Sequence, residues 1–247
     1  MEKQVRRSLD ADRVAYLLVD SYWRVSVLDE IDSTQNILKS NQPTHGDVVT
    51  AEFQSQGRGR LDRNFDATKS SGLLFSLFIA PKRKRDEWGF VSLIAGIAVV
   101  KSLGSQIYKA KWPNDVLSSD GKVCGILCEI FQNGIIVGIG INVSTERNEL
   151  PVDNASSVYL TEGKIADREE LLIMVLRNFQ ELFQMWDLGV DLLDEYAAIS
   201  LTLGKDVRIE LPTGLDLTGN VSGFTTKGEL LLDENQLVSV GDIYHLR

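Results

Sequence analysis

The sequence has few of the residues that bind structural metals or form disulfides. Its 247 residues include two cysteines, Cys124 and Cys128, and two histidines, His45 and His245. The histidines lie near opposite ends of the chain, and the cysteines lie on one face of a predicted strand, too far apart for a disulfide. We therefore expect neither a structural zinc site nor a disulfide framework.

Long apolar runs and an excess of basic residues are also missing. No apolar run approaches the ~18 residues of a membrane-spanning helix, and residues 1–12 are charged where a secretion signal would be apolar. The 35 acidic residues outnumber the 26 basic ones and give a net charge of -9, which disfavours nucleic acid held through its phosphates. We expect a soluble, reduced, cytoplasmic protein with no nucleic-acid or membrane partner.

Apolar patterns predict an α+β protein. Residues 1–22 are a polar lead with one short apolar stretch. Strands are predicted over residues 23–31, 47–54, 72–81, 123–131 and 135–143, and helices over residues 35–39, 89–103, 168–186 and 191–199. The helix over 89–103 is expected to be buried on one side, after a solvated turn at residues 82–87. From Gly204 onward, five short strands separated by polar turns predict a small barrel.

Two polar segments in the first part of the chain carry chemical groups. Ser33 and Thr34 follow the first strand, where a hydroxyl is expected to cap the helix that begins at Gln35; the alternative is that the pair binds a ligand. In the loop at residues 57–60, Gly-Arg-Gly-Arg, the glycines free the backbone and the arginines supply planar donors for carboxylate or phosphate. A flexible surface loop with solvated arginines is the alternative interpretation.

A second group of charges surrounds a predicted turn. Lys111 and Lys122 flank this turn, at residues 118–121, which would bring their ammonium groups toward one region. Two cations near Asn114 and Asp115 suit a magnesium-bound polyphosphate. The alternative is a solvated hairpin with a surface lysine at each end, but Trp112 inside the charged cluster favours a binding role.

Taken in order, five motifs resemble the catalytic domain of the biotin protein ligases. The motifs are the Ser-Thr pair, the Gly-Arg-Gly-Arg loop, a Lys-Trp-Pro-Asn-Asp loop, a Lys-x-x-Gly-Ile-Leu strand and a Gly-Ile-Gly-Ile-Asn segment. The resemblance covers residues 30–247. It implies a mixed sheet with helices like that of class II tRNA synthetases, in a biotin- and ATP-binding domain at residues 1–200. It also implies an SH3-like barrel at residues 201–247.

The resemblance implies a reaction in two steps. Biotin and MgATP give biotinyl-5′-adenylate and pyrophosphate, and a lysine of a biotin carboxyl carrier protein then takes the biotinyl group. The first step is needed because a carboxylate is a poor acyl donor. Mg²⁺ with ATP is the implied cofactor, biotin is the substrate, and the partner is a carrier domain of acetyl-CoA carboxylase or a related carboxylase.

Site roles also follow from the resemblance. It places biotin-binding roles on Ser33, Thr34, Gln35, Gln54, Gly57, Arg58, Gly59, Arg60, Lys122, Gly125 and Gly140. It places ATP-binding roles on Arg58, Arg60, Phe65, Lys111, Asn114, Asn142 and Arg247. The implied catalytic residues are Arg58, Lys111, Asp115 and Lys122. Asp115 is in addition the candidate magnesium ligand, and our hypothesis is that it orients or deprotonates the acceptor lysine.

The sequence departs from the family pattern after the arginine loop. Asp62 stands where relatives often have glycine, so it restricts the backbone and adds negative charge near the phosphates. Phe65 replaces a tryptophan and can still present a ring to adenine. Gln35 stands where relatives often carry asparagine.

Other functions make different predictions. Bifunctional relatives carry an amino-terminal DNA-binding domain, and the residues before Ser33 are too few for one, so we expect no repressor function. Lipoate–protein ligases of the same superfamily usually carry Arg-Arg-Gly-Gly-Gly and a following His-Asp, which this sequence lacks. A non-catalytic biotin-binding module would bind biotin without forming an adenylate. A homodimer is possible through an exposed sheet edge, which nothing in the sequence marks.

Overall fold

The computed structural model describes residues 6–60, 63–233 and 235–246. The chain forms two compact units, each made of two stretches. The first unit contains Met1–Ala80 and Leu117–Arg177, and the second contains Pro81–Val116 and Asn178–Arg247. The functional boundary at residue 200 stays a prediction.

Helices and strands are mixed along the whole chain. The strands are β1 (Arg24–Ile31), β2 (Asp47–Gln54), β3 (Gly72–Ile79), β4 (Lys109–Lys111), β5 (Asp115–Ser118), β6 (Gly121–Phe131), β7 (Gly134–Asn142), β8 (Asp206–Glu210), β9 (Asp216–Phe224), β10 (Leu230–Leu232), β11 (Gln236–Val238) and β12 (Asp242–His245). The α-helices are α1 (Ala11–Leu17), α2 (Thr34–Ser40), α3 (Val91–Leu103), α4 (Val158–Glu162), α5 (Arg168–Asp187) and α6 (Leu193–Ile199). Short 3₁₀ helices lie at Arg85–Phe90 and Arg147–Glu149.

A mixed sheet organises the first unit. Strands β1, β2, β3, β7 and β6 lie side by side in that order. β1 and β2 run parallel, and the other neighbours run antiparallel. The hairpin predicted between β6 and β7 is confirmed, and Gln132 adopts the positive φ of 51° that its turn requires. Leu38 of α2 packs against this sheet with Val49, Phe78 and Ile136.

Sequence patterns do not predict α1. The helix is capped by Asp10, whose carboxylate accepts hydrogen bonds from the backbone amides of Asp12 and Arg13. The chain that follows is fastened to α5, because the indole nitrogen of Trp23 donates a 3.0 Å hydrogen bond to the carbonyl of Leu176. The described part of the polar lead, residues 6–22, is therefore part of the folded unit.

A buried ion pair joins α5 to the sheet. The guanidinium of Arg168 lies 2.9 Å from the carboxylate of Glu52, and the two residues are 8% and 3% exposed. Glu52 also accepts a 2.6 Å hydrogen bond from the amide of Leu9. Burial alone would raise the pKa of Glu52, but hydrogen bonds from Arg168, Ser70 and Leu9 and the charge of Arg168 lower it below its usual value of 4.5.

The second unit corrects one expectation about residues 82–103. Helix α3 is buried on nearly all sides rather than on one, because small residues such as Gly96 and Ala98 let neighbouring groups approach it closely. Its end at Gly104, with φ 66°, is as predicted. The turn at residues 82–87 is largely exposed, as expected, and Arg83 within it donates to the carbonyl of Trp186 and pairs with Glu87 at 2.5 Å.

The carboxyl-terminal strands form an antiparallel sheet of their own. Its order is β11-β10-β9-β8-β12, so the five predicted strands are all present. Tyr196 of α6 packs edge-on against Phe224 of β9, with ring centroids 4.8 Å apart. Among the described residues, none of the helices combines the length and apolarity needed to cross a membrane.

Candidate active site

A network of buried hydroxyl and amide groups lies where α2 meets the sheet. The Oε1 atom of Gln54 accepts hydrogen bonds from the backbone amide and the hydroxyl of Thr34, at 2.7 and 3.0 Å. The Thr34 hydroxyl lies 2.7 Å from that of Ser76 on β3. Since the Thr34 proton points to Gln54, Ser76 is the donor in that pair. Thr34, Ser76 and Ser33 are all buried.

The predicted serine cap on α2 is wrong. Ser33 stands at the capping position, but its side chain makes no capping hydrogen bond. Asp32 instead accepts from the amide of Ser33 and from the side chain of Asn36, at 2.6 and 2.8 Å. The hydrogen bond from Asn36 lowers the pKa of Asp32, so the carboxylate stays charged near the helix start.

Gln35 points to the main chain of the sheet. Its amide nitrogen donates a 2.9 Å hydrogen bond to the carbonyl of Leu127 on β6. The side chain packs on Gly138 of β7, where a Cβ atom would lie 2.7 Å from that nitrogen. The residue is 3% exposed, and its Oε1 has no hydrogen-bond partner within the described part of the chain. Its biotin-binding role stays a prediction.

The arginine loop returns on itself through backbone hydrogen bonds. The amide of Phe65 donates to the carbonyl of Gly57 at 2.9 Å, and the amide of Gly59 donates to Arg63 at 2.7 Å. Gly57 has no room for a side chain, because a Cβ atom there would clash with the carbonyl oxygen of Phe65. These bonds fix where Phe65 stands relative to Gly57. Arg60 is half-buried in the same loop.

Arg58 forms an ion pair that sequence patterns do not predict. Its guanidinium lies 3.3 Å from the carboxylate of Glu129 on β6, and the ammonium of Lys39 lies 2.9 Å from the same carboxylate. Arg58 remains 39% exposed. The sequence places Glu129 only on the same face of β6 as Gly125, because the two residues are four apart on one strand. It does not indicate that Glu129 meets Arg58.

A pair of glycines forms the floor of the site. Gly125 on β6 faces Gly140 on β7 in the antiparallel register. The ring of Phe65 lies over both of them, because a Cβ atom on Gly140 would be 2.6 Å from the ring and one on Gly125 would be 3.4 Å from it. The ammonium of Lys122 stands 3.3 Å from the same point above Gly125. The structure thus brings together an ammonium, an aromatic ring and two bare stretches of backbone.

The main chain of Lys122 is held from both sides. Its amide donates to the carbonyl of Asn154 at 2.8 Å, and its carbonyl accepts from the amide of Ser156 at 2.7 Å. Asn142, 8% exposed, donates from its side chain to the carbonyl of Ser156 at 3.0 Å. Gly121, with φ 131°, lets Asn154 approach closely. Sequence patterns show residues 145–156 only as a loop and do not reveal this support for Lys122.

Lys111, Asn114 and Asp115 lie in the second unit, and all three are half-buried. The turn between β4 and β5 is anchored by Trp112, whose indole nitrogen donates to the carbonyl of Gly228 at 2.9 Å. The pKa of Tyr196 is raised chiefly by burial and further by the negative charge of Asp115.

Three predictions about these residues remain open. The convergence of Lys111 with Lys122 stays a prediction, as do the nucleotide and metal roles of Lys111, Asn114 and Asp115. Arg247 lies outside the described residues.

The pKa of His245 is lowered chiefly by burial and further by the positive charges of Lys111 and Lys205.

Comparison with known proteins shows which sequences and structures this chain resembles. The profile of the biotin/lipoate A/B protein ligase family matches residues 27–146. The biotin–[acetyl-CoA-carboxylase] ligase of Mycobacterium tuberculosis is 35% identical over 244 residues, which cover 92% of this chain and 91% of that protein. The chain belongs to the biotin protein ligase family.

Other members of the family agree with this assignment. The bifunctional ligase/repressor BirA of Salmonella typhimurium is 32% identical over 244 residues, which cover 93% of this chain and 75% of that protein. The structure of the biotin protein ligase from Aquifex aeolicus in complex with biotin and ATP matches this chain with a TM-score of 0.80 and 31% sequence identity. The match covers 91% of this chain and 99% of the Aquifex chain. The mixed sheet and the carboxyl-terminal antiparallel sheet together match the biotin ligase fold.

Proposed function

We propose that this chain joins biotin to ATP as biotinyl-5′-adenylate and transfers the biotinyl group to a lysine of a biotin carboxyl carrier protein. The observation that carries the proposal is the position of Lys122 at the glycine pair, Gly125 and Gly140, in a member of the biotin protein ligase family. Neither strand carries a side chain at this point, so the backbone itself sets no barrier to the chain of a small acid. The ammonium then lies beside the place where the carboxylate must react.

Charge stabilisation is the main chemical task of the first step. The biotin carboxylate attacks the α-phosphorus of ATP, and pyrophosphate leaves with the electrons of the broken P–O bond. An ammonium at Lys122 and a planar guanidinium at Arg58 suit the phosphate oxygens on which charge develops. Gly59 and Arg60 belong to the same loop and are proposed to bind at the same end of the acid.

The ring end of biotin is proposed to bind at the network around Thr34. A ureido group carries two N–H donors and one carbonyl acceptor, and the network offers hydroxyl oxygens and the amide of Gln54. Ser33 and Gln35 border this network. The buried Oε1 of Gln35 is an acceptor that an N–H donor would satisfy.

The nucleotide is proposed to bind with the residues of the second unit. Lys111 and Asn114 supply donors in that unit, with Arg247 as a third proposed nucleotide residue. The nucleotide roles of Arg60, Phe65 and Asn142 stay predictions. Asp115 would hold Mg²⁺ as one carboxylate ligand, and the ion would supply positive charge to the phosphates of ATP. In the part of the chain that the structure describes, no three His, Cys, Asp or Glu residues cluster as a metal site. One carboxylate fits Mg²⁺, which usually keeps water and phosphate ligands.

Several finer assignments belong to the same proposal. We propose a class II tRNA synthetase-like core over residues 1–200 and an SH3-like barrel over residues 201–247, supported by the mixed sheet and the five-stranded antiparallel sheet. We propose a cytoplasmic setting, which the thiols of Cys124 and Cys128 support. A homodimer is proposed through β1, which ends the strand order of the first unit.

The test is biotin-dependent exchange of pyrophosphate into ATP, followed by transfer to a purified carrier domain. We expect exchange with biotin and MgATP, no exchange with lipoate, and loss of exchange in Lys122→Ala. Lys101→Ala, an exposed lysine on α3, is the control and should keep full exchange. Exchange that required lipoate would instead support a lipoate ligase. Biotin binding without exchange would support a non-catalytic binding module.

A further inference from the structure

The ring of Phe65 occupies the floor of the proposed biotin site. Its edge carbons lie 2.6 and 2.7 Å from the point where a Cβ atom would stand on Gly140, and 3.4 Å from the equivalent point on Gly125. Carbon atoms in contact are separated by about 3.5 to 4 Å. The space directly above the glycine pair is therefore filled by the ring, and an acyl chain cannot lie there at the same time.

Backbone hydrogen bonds hold Phe65 in this position. The amide of Phe65 donates to the carbonyl of Gly57 at 2.9 Å, and the amide of Gly59 donates to the carbonyl of Arg63 at 2.7 Å. Between these two hydrogen bonds, Arg58 and Asn64 form an antiparallel β-bridge. The pairing carries the ring inward over the sheet. It involves a short segment, and the ring is only half-buried, so the arrangement is one that a ligand can displace.

Glu129 holds the other side of the same segment. Its carboxylate lies 3.3 Å from the guanidinium of Arg58, which turns toward β6, and it also receives Lys39 at 2.9 Å. A carboxylate partner competes with a phosphate ligand for the same guanidinium. Arg58 must therefore exchange Glu129 for a phosphate oxygen of ATP if it is to take the role proposed for it, whereas biotin binding without ATP requires only that the segment move.

We infer that Phe65 is a reversible occupant of the biotin cleft and that Glu129, by holding Arg58, is the positioning residue that stabilises this closed arrangement. The inference rests on the proposed function, because it takes the glycine pair to be the place where biotin binds. It adds a step before chemistry, in which the ring leaves the glycine pair and Arg58 leaves Glu129.

A closed arrangement has a defined cost in affinity. When only a fraction of the protein is able to bind, the measured dissociation constant rises by the inverse of that fraction. Removing the ring should lower the dissociation constant for biotin, whereas removing a ring that contacts bound biotin would raise it. The two roles of Phe65 therefore predict opposite signs.

The experiment measures binding of radiolabelled biotin by equilibrium dialysis without ATP. Phe65→Ala is expected to bind about threefold to tenfold more tightly than the wild type, and Phe65→Leu to fall between them. Phe131→Ala, which removes a partly buried ring elsewhere on β6, is the control and should leave biotin affinity unchanged. Weaker or unchanged binding by both Phe65 variants, with thermal unfolding like that of the wild type, would overturn the inference.

A second pair of variants tests Glu129. Glu129→Gln should tighten biotin binding about twofold to fivefold, the range of an exposed ion pair. Lys39→Gln removes the neighbouring cation but leaves Arg58 with its partner, and should have no effect. In the Phe65→Ala background Glu129→Gln should have no further effect, since both act on one equilibrium. An effect of equal size in both backgrounds would show that Glu129 does not act through the ring.

An uncharged ligand separates occlusion from electrostatics. Biotinol, the alcohol that lacks the carboxylate, should show the same gain in Phe65→Ala and in Glu129→Gln when measured by competition. A gain confined to biotin would mean that the released charge of Arg58 is responsible, and would overturn the inference. Failure of the wild type to bind biotin or to exchange pyrophosphate would refute the proposed function itself, whereas normal exchange with no gain in the variants would refute only the occlusion.

Discussion

The side chain of Asn142 is linked to Lys122 through one intervening residue. The amide of Asn142 donates to the carbonyl of Ser156 at 3.0 Å, and the backbone amide of Ser156 donates to the carbonyl of Lys122 at 2.7 Å. Asn142 therefore supports the position of the lysine through the main chain. This role is separate from the nucleotide contact proposed for the same residue.

Asn142→Ala should lower the free energy of unfolding by about 1 to 3 kcal/mol, because the buried carbonyl of Ser156 loses its donor. It should also lower the rate of pyrophosphate exchange about tenfold, since small displacements of a reacting group are costly. Urea unfolding and exchange kinetics measure the two effects. Asn41→Ala, an exposed asparagine after α2, is the control. An increase in the KM for ATP with unchanged stability would assign Asn142 to the nucleotide instead.

Gly140→Ala should abolish biotin binding and displace the ring of Phe65. The added methyl group would stand 2.6 Å from the ring, so the ring must move or the strands must shift, at about 1 to 3 kcal/mol of stability. Calorimetric titration with biotin and thermal unfolding check both results. Gly223→Ala on β9 is the matched control, because a Cβ atom there meets nothing within 4 Å. Wild-type affinity in Gly140→Ala would remove the glycine pair from the proposed site.

Asp115→Asn should slow transfer of the biotinyl group from preformed adenylate to the carrier lysine by about 10²- to 10⁴-fold, the range of general base catalysis. The substitution keeps the shape of the side chain and removes its charge. Single-turnover transfer from synthetic biotinyl-5′-adenylate measures this step alone. Asp120→Asn, at an exposed turn, should transfer normally. A normal transfer rate in Asp115→Asn, with reduced pyrophosphate exchange, would leave only the magnesium role.

The buried pair of Glu52 and Arg168 predicts how stability depends on acid. Because the pKa of Glu52 in the folded chain is below its usual 4.5, the stabilisation is fully present above about pH 4.5 and is lost as pH falls through the lower folded value. Glu52→Gln should cost about 3 to 5 kcal/mol at pH 7, since Arg168 stays buried with its charge, and should flatten this acid dependence.

Urea unfolding between pH 3 and pH 7 tests this prediction. Glu181→Gln, an exposed glutamate on α5, should keep the stability and the pH profile of the wild type. A variant at Glu52 with an unchanged acid profile would show that the pair does not control it.

Local patterns predicted the elements of the fold better than the contacts of the site. The hairpin of β6 and β7 follows from two apolar runs around Gln132 and Gly134, which are adjacent in sequence. The all-round burial of α3 was not predicted, because its apolar stripe does not show that Ala110 and Tyr196 lie beside Gly96. Helix identity is a local property, whereas the number of buried faces depends on distant segments.

The same distinction applies to the site. Glycines, lysines and arginines could be selected by their chemistry and by family resemblance, as with Arg58 and Lys122. The partners of these groups could not, because Glu129 meets Arg58 only through the fold. The contact of Phe65 with the glycine pair depends on strand register and on the return of a loop. Spacing along one segment contains neither piece of information.

The supports of Lys122 also have a consequence for how the protein is made. Asn154 and Ser156 lie more than thirty residues further along the chain than Lys122. A chain that ends with the hairpin of β6 and β7 therefore lacks both of these main-chain supports for Lys122. The two hydrogen bonds can form only once the loop at residues 145–156 has been added, after the strand that carries the lysine is complete.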